Sequence, residues 1–116
     1  MTYGPCTLKP ENVHLRTSTG RSNVGFKART SCSVRVTSIH HTSDLRHKRL
    51  LWWVKDPSKS GGNTGQKTYH QKNLSHSCSG GKRTRWGGTT LGTIIRKGKK
   101  YYARVYPTTN ALNCGA

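Results

Sequence analysis

The chain has 116 residues, with 21 lysines and arginines against only three aspartates and glutamates, so its formal net charge at pH 7 is +18. This length fits a single domain, residues 1–116, with a modest core, because only 30% of the residues are hydrophobic. So few carboxylates argue against reactions that need paired acids, such as glycoside hydrolysis. The charge itself favours an anionic partner, since unscreened repulsion of this size lowers stability.

The first third of the chain predicts short strands, because apolar and polar residues alternate in three places. It begins with an arm that contains two prolines and Cys6, which we expect to be irregular. In chain order the predictions are an irregular arm at 1–10, a strand at 12–18, a turn at 20–23, a strand at 24–28 that leads to Cys32, and a strand at 34–39.

The middle of the chain is mostly polar and gives weaker signals. Its most apolar run, at 50–54, is apolar on both faces, which is typical of a central strand buried between two layers. Tyr69 is the expected anchor of a further, weak strand. The remaining predictions are a polar segment without a strand period at 40–49, a flexible loop at 58–65, the weak strand at 66–77 and a loop rich in glycine and arginine at 79–88.

The clearest local prediction is a β-hairpin at 89–107. Two runs rich in isoleucine, threonine, tyrosine and valine, at 91–96 and 101–106, are separated by four residues that include Gly98. Alternate residues of a strand point to opposite faces. We therefore expect the hairpin to pack one face on a core and to expose tyrosines, Arg104 and a lysine-rich tip on the other.

About seven short strands separated by turn signals, without a sustained helical period, predict an all-β fold. The expected architecture is an antiparallel, immunoglobulin-like β-sandwich. The residues after the hairpin, 108–116, are expected to form a tail that Cys114 ties back. The predicted core includes Val24, Phe26, Ala28, Val34, Val36, Trp52, Ile94, Ala103 and Val105.

Four cysteines, Cys6, Cys32, Cys78 and Cys114, occur without any C-x-x-C pair, which disfavours a structural zinc site. We expect two disulfides, each contributing about 3–4 kcal/mol, formed in an oxidising compartment, and hence a secreted protein. Sequence order suggests the pairs Cys6–Cys32 and Cys78–Cys114 and leaves the other two connectivities open. Neither a metal nor another cofactor is predicted.

The sequence also bears on export. No stretch reaches the length of a transmembrane helix. Met1 is followed by TYGPC, without the apolar segment of a signal peptide. We expect a mature form that carries an added methionine; the alternative is a chain that starts here and is not secreted.

Catalytic motifs are sparse, because the chain contains no G-x-S-x-G, H-E-x-x-H or P-loop sequence. Two histidines and a lysine can cleave RNA as general base, general acid and phosphate stabiliser. A metal-free, histidine-dependent, ribonuclease-like toxin is therefore the alternative function, against the simpler interpretation of histidines exposed on a polar surface. The histidines are His14, His40, His41, His47, His70 and His76.

Basic and aromatic residues interleave near the C-terminus, which favours a binding site. Cationic side chains bind phosphates, and flat rings stack on bases or sugars. The alternative is that Trp86 and Tyr101 anchor the core and that the lysines protect the edge of a sheet. The RNP, KH and zinc-knuckle signatures are absent from the sequence. The candidate binding residues are Lys82, Arg83, Arg85, Trp86, Arg96, Lys97, Lys99, Lys100, Tyr102 and Arg104.

The cysteines and several segments near them resemble those of small secreted actinobacterial proteins with four cysteines and a predicted β-sandwich. The residues that carry the resemblance are 6–10 (CTLKP), His14, 28–32, 34–39, 73–78, 101–103 and Cys114. Some such proteins are similar to the small adaptor subunit of secreted Streptomyces umbrella toxin particles, which joins a long repeat-bearing protein to lectin subunits. The strong positive charge and the doubled Trp52-Trp53 depart from that pattern.

The leading functional hypothesis is a non-catalytic, strongly basic, secreted binding or adaptor domain. Its partner would be an anionic surface, an anionic polymer or an acidic protein, with nucleic acid among the polymers. The resemblance adds the expectation that the protein is a subunit of a larger secreted toxin complex.

Overall fold

A computed structural model of the chain describes residues 1–15, 23–49, 52–72, 74–80, 82–106 and 109–115. Within these residues the structure contains twelve strands and no helix, and the paired strands are antiparallel, so the predicted antiparallel all-β fold is confirmed. The strands are β1 Thr2–Tyr3, β2 Cys6–Pro10, β3 His14–Leu15, β4 Asn23–Gly25, β5 Ala28–Cys32, β6 Ser38–Arg49, β7 Trp52–Thr64, β8 Thr68–Gln71, β9 Ser75–Ser77, β10 Arg83–Arg96, β11 Lys99–Val105 and β12 Asn110–Asn113.

The strands form three sheets. The long sheet contains β11, β10, β6 and β7 in that order, and β12 also pairs with β10. The N-terminal sheet has the order β1-β2-β5-β8, and the small sheet has the order β3-β4-β9. Strands β6, β7 and β10 have 12, 13 and 14 residues. At about 3.3 Å per residue each spans roughly 40 Å, so they set the long axis of a molecule that measures 48 × 31 × 17 Å.

The N-terminal sheet packs on one half of the long sheet through an apolar cluster. Leu8 of β2 and Ile94 of β10 have no accessible surface there, because they lie between the two layers. The Cys6–Cys32 disulfide joins β2 to β5 at the same cluster. Its buried members are Tyr3, Cys6, Leu8, Ala28, Val36, Ile39, Ile94, Ala103 and Val105.

A second apolar cluster lies between the small sheet and the other half of the long sheet. Gly88 of β10 allows close packing in this cluster, because a Cβ at this position would lie 2.7 Å from the Phe26 ring. The Cys78–Cys114 disulfide closes the cluster, so both disulfides have the pairing that sequence order suggested. The buried members are Val13, Val24, Phe26, Leu45, Leu74, Trp86 and Cys114.

The long sheet is thus covered on one face by two smaller sheets, each above its own core and each with its own disulfide. This packing in two layers is consistent with the predicted sandwich, whose immunoglobulin-like character stays a prediction. The residues described contain no free cysteine.

The predicted hairpin is present as β10 and β11. Its loop has two residues rather than the predicted four, because pairing continues to Arg96 and Lys99. Lys97 and Gly98 both have positive φ angles, 51° and 75°, as a type I′ turn requires. Buried and exposed residues alternate along β11 as predicted.

The prediction of a polar segment without a strand period at 40–49 is wrong, because these residues lie in β6, inside the long sheet. The period is concealed because several buried positions of β6 carry polar residues. His41 hydrogen bonds to Thr30 at 2.6 Å, and Ser43 hydrogen bonds to Thr90 at 2.6 Å. These bonds satisfy polar groups that burial would otherwise penalise.

The prediction of a buried central strand at 50–54 is also wrong for the residues described there. Trp52, expected in the core, is 55% exposed, because it begins β7 and β7 is an edge strand of the long sheet. Residues 50 and 51 lie outside the described residues. The flexible loop predicted at 58–65 is wrong up to residue 64, because β7 continues to that point and pairs with β6.

The remaining differences concern the limits of elements and one side chain. The arm predicted as irregular contains β1 and β2, because residues 6–10 pair with β5. Val34 is half-buried and lies in no strand. The predicted loop at 79–88 is strand β10 from Arg83 onward. The predicted strand at 12–18 is observed as the short strand β3. Residues 16–22, which include the rest of that predicted strand and most of the predicted turn, lie outside the described residues.

Candidate anion-binding site

The end of the long sheet where β6 ends and β7 and β10 begin contains a cavity of about 850 Å³, which we call the cationic cleft. Among the described residues that line it are five exposed lysines and arginines, one histidine and no aspartate or glutamate. The lining residues are His47, Lys48, Arg49, Val54, Lys82, Arg83, Thr84 and Arg85.

Strand pairing builds this cleft from segments that are far apart in the chain. Trp86 of β10 lies opposite His47 of β6, so the start of β10 lies beside the end of β6. Val54 of β7 lies opposite the same histidine on the other side. The basic residues at 48–49 and 82–85 therefore meet at one end of the sheet, although nothing in the sequence of either segment indicates that they are neighbours.

Two arginines of the cleft form hydrogen bonds with neutral side chains. Arg85 donates to the hydroxyl of Thr109 at 3.2 Å, and Arg83 donates to the side-chain carbonyl of Asn113 at 3.5 Å. The ion pairs between described side chains are formed by Glu11 and Asp44 with residues outside the cleft. The cleft thus concentrates positive charge without a neutralising carboxylate among its described lining residues.

A second, smaller cavity of about 230 Å³ lies on the outer face of the long sheet, and we call it the aromatic groove. Trp53 is 41% exposed and Tyr106 is 66% exposed. Gly87 lines the same cavity, and a Cβ there would lie 3.4 Å from the Trp53 ring. The lining residues are Arg46, Trp53, Gly87, Gly88, Tyr106 and Thr109.

The cationic cleft and the aromatic groove adjoin each other. Thr109 of the groove accepts the hydrogen bond from Arg85 of the cleft. Lys48 of the cleft lies directly opposite Trp53 of the groove in the β6–β7 pairing. The two cavities therefore form one continuous surface on which cations and exposed rings lie side by side.

The basic residues predicted from the sequence separate into groups in the structure. Lys82, Arg83 and Arg85 line the cationic cleft. The hairpin tip carries Arg96, Lys97, Lys99 and Lys100, and it lies at the other end of β10. The thirteen residue steps of β10 place the two groups about 40 Å apart, so the structure does not bring them together.

Tyr102 and Arg104 lie between these two groups, on β11. Tyr102 is 60% exposed, and Arg104 donates to the hydroxyl of Thr89 at 3.4 Å. Neither residue lines the cleft or the groove. The predicted binding residues thus do not form a single site.

Trp86 is a correction to the predicted set. It has no accessible surface, because it lies in the second core cluster. Its indole nitrogen donates to the backbone carbonyl of Cys114 at 3.0 Å. The ring centroids of His47 and His76 lie 5.5 and 5.6 Å from the centroid of the Trp86 ring. Trp86 therefore packs beneath the site and cannot stack on a ligand.

Of the fourteen described residues that line the two cavities, three belong to the predicted set: Lys82, Arg83 and Arg85. Lys48 and Arg49 belong to the run RHKR at 46–49, and Trp53 follows in the run LLWW at 50–53. These runs place basic residues beside aromatic ones, as the segment 82–86 does. The apolar run at 50–54 conceals this signal, because it also fits a strand buried between two layers.

The histidines differ in what they could do. His41 is fully buried, and burial lowers its pKa to about 4, so it cannot reach a substrate. His70 lies 2.8 Å from the carboxylate of Glu11, and this hydrogen bond lowers the pKa of that carboxyl group. His47 is the histidine that lines the cleft.

Comparison of the chain with protein-family models, with curated proteins and with solved structures found no match. In the part of the chain that the structure describes, no helix is long and apolar enough to cross a membrane. The same residues contain no group of three or more histidine, cysteine, aspartate or glutamate side chains placed to hold a metal ion.

Proposed function

We propose that the protein is a non-catalytic binding domain for a polyanion and that the cationic cleft is its binding site. The observation that carries the proposal is the convergence of five exposed lysines and arginines on one cavity, with no carboxylate among the described residues that line it. Each phosphate that such a group neutralises releases condensed counterions, which favours binding. A cleft of about 850 Å³ also offers room for several charges of one ligand.

A polymer fits this surface better than a single small anion. The cations come from the end of β6 and the start of β10, so they are distributed over the cleft rather than directed at one point. A ligand with repeated negative charges can contact several of them at once. Affinity would then depend steeply on salt, because every contact contributes to counterion release.

The two disulfides support the proposal that the protein acts outside the reducing cytosol, since such bonds persist in oxidising compartments. Secretion and a place in a larger toxin complex, as the resemblance implies, remain part of this proposal. In that role the cleft would bind the acidic surface of a partner subunit or a polymer of the target cell.

The test compares two variants that each lose three positive charges. One carries Lys82→Gln, Arg83→Gln and Arg85→Gln in the cleft, and its matched control carries Arg96→Gln, Lys99→Gln and Lys100→Gln at the hairpin tip. Binding to polyphosphate, teichoic acid and nucleic acid is measured from 50 to 300 mM salt, roughly the range in which such contacts respond. We expect the cleft variant to lose affinity and the slope of log K against log salt to become shallower by about 2.

The tip variant should keep the slope of the wild type. The Debye length near 0.15 M salt is about 8 Å, so charges about 40 Å from the cleft are screened. Equal losses in the two variants would show that net charge alone drives binding and would overturn the assignment of the cleft. If the protein cleaves RNA and His47→Ala abolishes the cleavage, the ribonuclease-like alternative is favoured instead, because His47 lies in the cleft.

A further inference from the structure

We infer that the cationic cleft and the aromatic groove together bind single-stranded nucleic acid, with phosphates in the cleft and an unpaired base in the groove. This inference rests on the proposed function and adds to it the class of polyanion. Its starting point is the contact between the two cavities through Arg85 and Thr109, whose side chains are 3.2 Å apart.

The groove has the elements of a stacking site. Trp53 reaches from the edge strand β7 across β6 to Gly87, so the indole lies over the sheet and remains 41% exposed. Tyr106 offers a second ring that is 66% exposed. Gly87 has no side chain to fill the groove beside Trp53, and Arg46 adds a cation to the lining. Stacking on such rings tolerates any base, because every base has a π-face.

The size of the groove fits one ring. Its volume of about 230 Å³ is below the roughly 300–1,000 Å³ of pockets that hold drug-sized ligands. The phosphates of a bound strand would therefore lie outside the groove. The cleft, at about 850 Å³, begins where Lys48 lies opposite Trp53, so phosphates next to the bound base would meet its cations.

The rings select one polyanion over others. Polyphosphate and teichoic acid supply phosphates but no aromatic base, so they use the cleft and leave the groove empty. A duplex supplies bases, but they are stacked and paired in its interior. A single strand supplies phosphates and accessible bases together, which is what a cation cluster joined to exposed rings binds.

The experiment measures binding of a thymidine homopolymer and, as a base-free probe, of polyphosphate at the same salt concentration. The variants are Trp53→Ala, Tyr106→Ala and Gly87→Ala, and Tyr102→Ala is the matched control because Tyr102 is an exposed ring outside the groove. Gly87→Ala keeps both rings and narrows the groove, since its Cβ would lie 3.0 Å from Thr109 and 3.4 Å from the Trp53 ring. It therefore tests the groove even if removal of Trp53 disturbs β7.

We expect the three groove variants to lose affinity for the thymidine strand by about fivefold to 150-fold, the range for loss of one stacked base. Their affinity for polyphosphate should stay within twofold of the wild type, and Tyr102→Ala should change neither. Duplex DNA should bind more weakly than the single strand.

The two proposals fail in different ways. If the groove variants keep the wild-type preference for the thymidine strand over polyphosphate, the groove does not bind a base and the inference is overturned, while polyanion binding by the cleft stands. If the Lys82/Arg83/Arg85→Gln variant binds polyphosphate as the wild type does, the proposed function itself is overturned. Equal affinity for duplex and single strand would also exclude a bound unpaired base.

Discussion

His41 shows how much a single buried side chain contributes to the behaviour of this protein. It lies on the face of β6 that meets the N-terminal sheet, and its Nε2 is hydrogen bonded to the hydroxyl of Thr30. Its ring packs edge-on against that of Tyr69, with the ring centroids 4.8 Å apart. Its Nδ1 is buried without a hydrogen-bond partner among the described residues. Burial is the main reason that the pKa of His41 falls to about 4, and the nearby His40 and His70 lower it further.

This shift predicts that stability falls at mildly acid pH. The unfolded chain binds a proton at His41 below its ordinary pKa of 6.5, whereas the folded protein binds one only below about 4. The free energy of unfolding should therefore decrease as the pH falls from 6.5 towards 4, by up to about 3 kcal/mol for this group. Urea unfolding at several pH values measures it.

The pH dependence should be smaller in His41→Gln, which cannot take up a proton there. His40→Gln, at the exposed neighbour on the opposite face of β6, should reduce the pH dependence less, because His40 is a smaller cause of the lowered pKa of His41 than burial is. Glu11 does not confuse the comparison, since its lowered pKa confines its effect to pH below about 4.5. The same decrease in stability in wild type and His41→Gln would contradict the prediction.

At the scale of elements, the hairpin β10–β11 was predictable because its signals are local. Its β-branched and aromatic residues and Gly98 all favour the structure that forms. β6 was not predictable, because His41 and Ser43 interrupt the apolar positions of its buried face, Ile39 and Leu45. Those polar groups are stable in the interior only through partners on other strands, such as Gln71 of β8, which a local pattern does not contain.

The candidate site was predictable only in part for the same reason. The run that contains Lys82, Arg83 and Arg85 is visible in the sequence, and it does line the cleft. Its partners at 48–49 join it only through the antiparallel pairing of β6 with β10. The tip lysines had an equally strong local signal, but the length of β10 places them at the other end of the molecule.

The hairpin turn gives a prediction of its own. Lys97 has a φ of 51°, a left-handed conformation that costs most residues about 1–2 kcal/mol and that asparagine adopts more readily. Lys97→Asn should therefore raise the free energy of unfolding by about 0.5–1 kcal/mol. Thermal unfolding measures the change, and Lys99→Asn serves as control because it removes the same charge outside the turn. A lower Tm for Lys97→Asn than for Lys99→Asn would refute the prediction.

At the scale of the whole molecule, the charge of +18 is confined to a body of 48 × 31 × 17 Å. Repulsion between these charges opposes the compact state, and the two core clusters with their disulfides offset it. The repulsion acts over a Debye length of about 30 Å at 0.01 M salt but only about 8 Å at 0.15 M. Screening should therefore stabilise the protein.

We expect the Tm to rise when sodium chloride increases from 10 to 150 mM, as measured by thermal unfolding at constant pH. The Tm of the cleft variant and that of the tip variant should each rise less than the Tm of the wild type, because each variant has three fewer positive charges to screen. A Tm that falls with salt would show that attractive ion pairs, and not repulsion, dominate the electrostatic energy.

A polyanion should stabilise the fold further, but only through the cleft. Polyphosphate at about 100 times its Kd adds roughly 2.7 kcal/mol to the free energy of unfolding, which for a domain of this size raises the Tm by about 10 °C. The tip variant should show the same increase, whereas the cleft variant should show much less of it, although both carry the same net charge. Equal stabilisation of the two variants would mean that the polyanion binds the overall positive field, since only a local site can distinguish charges at opposite ends of β10.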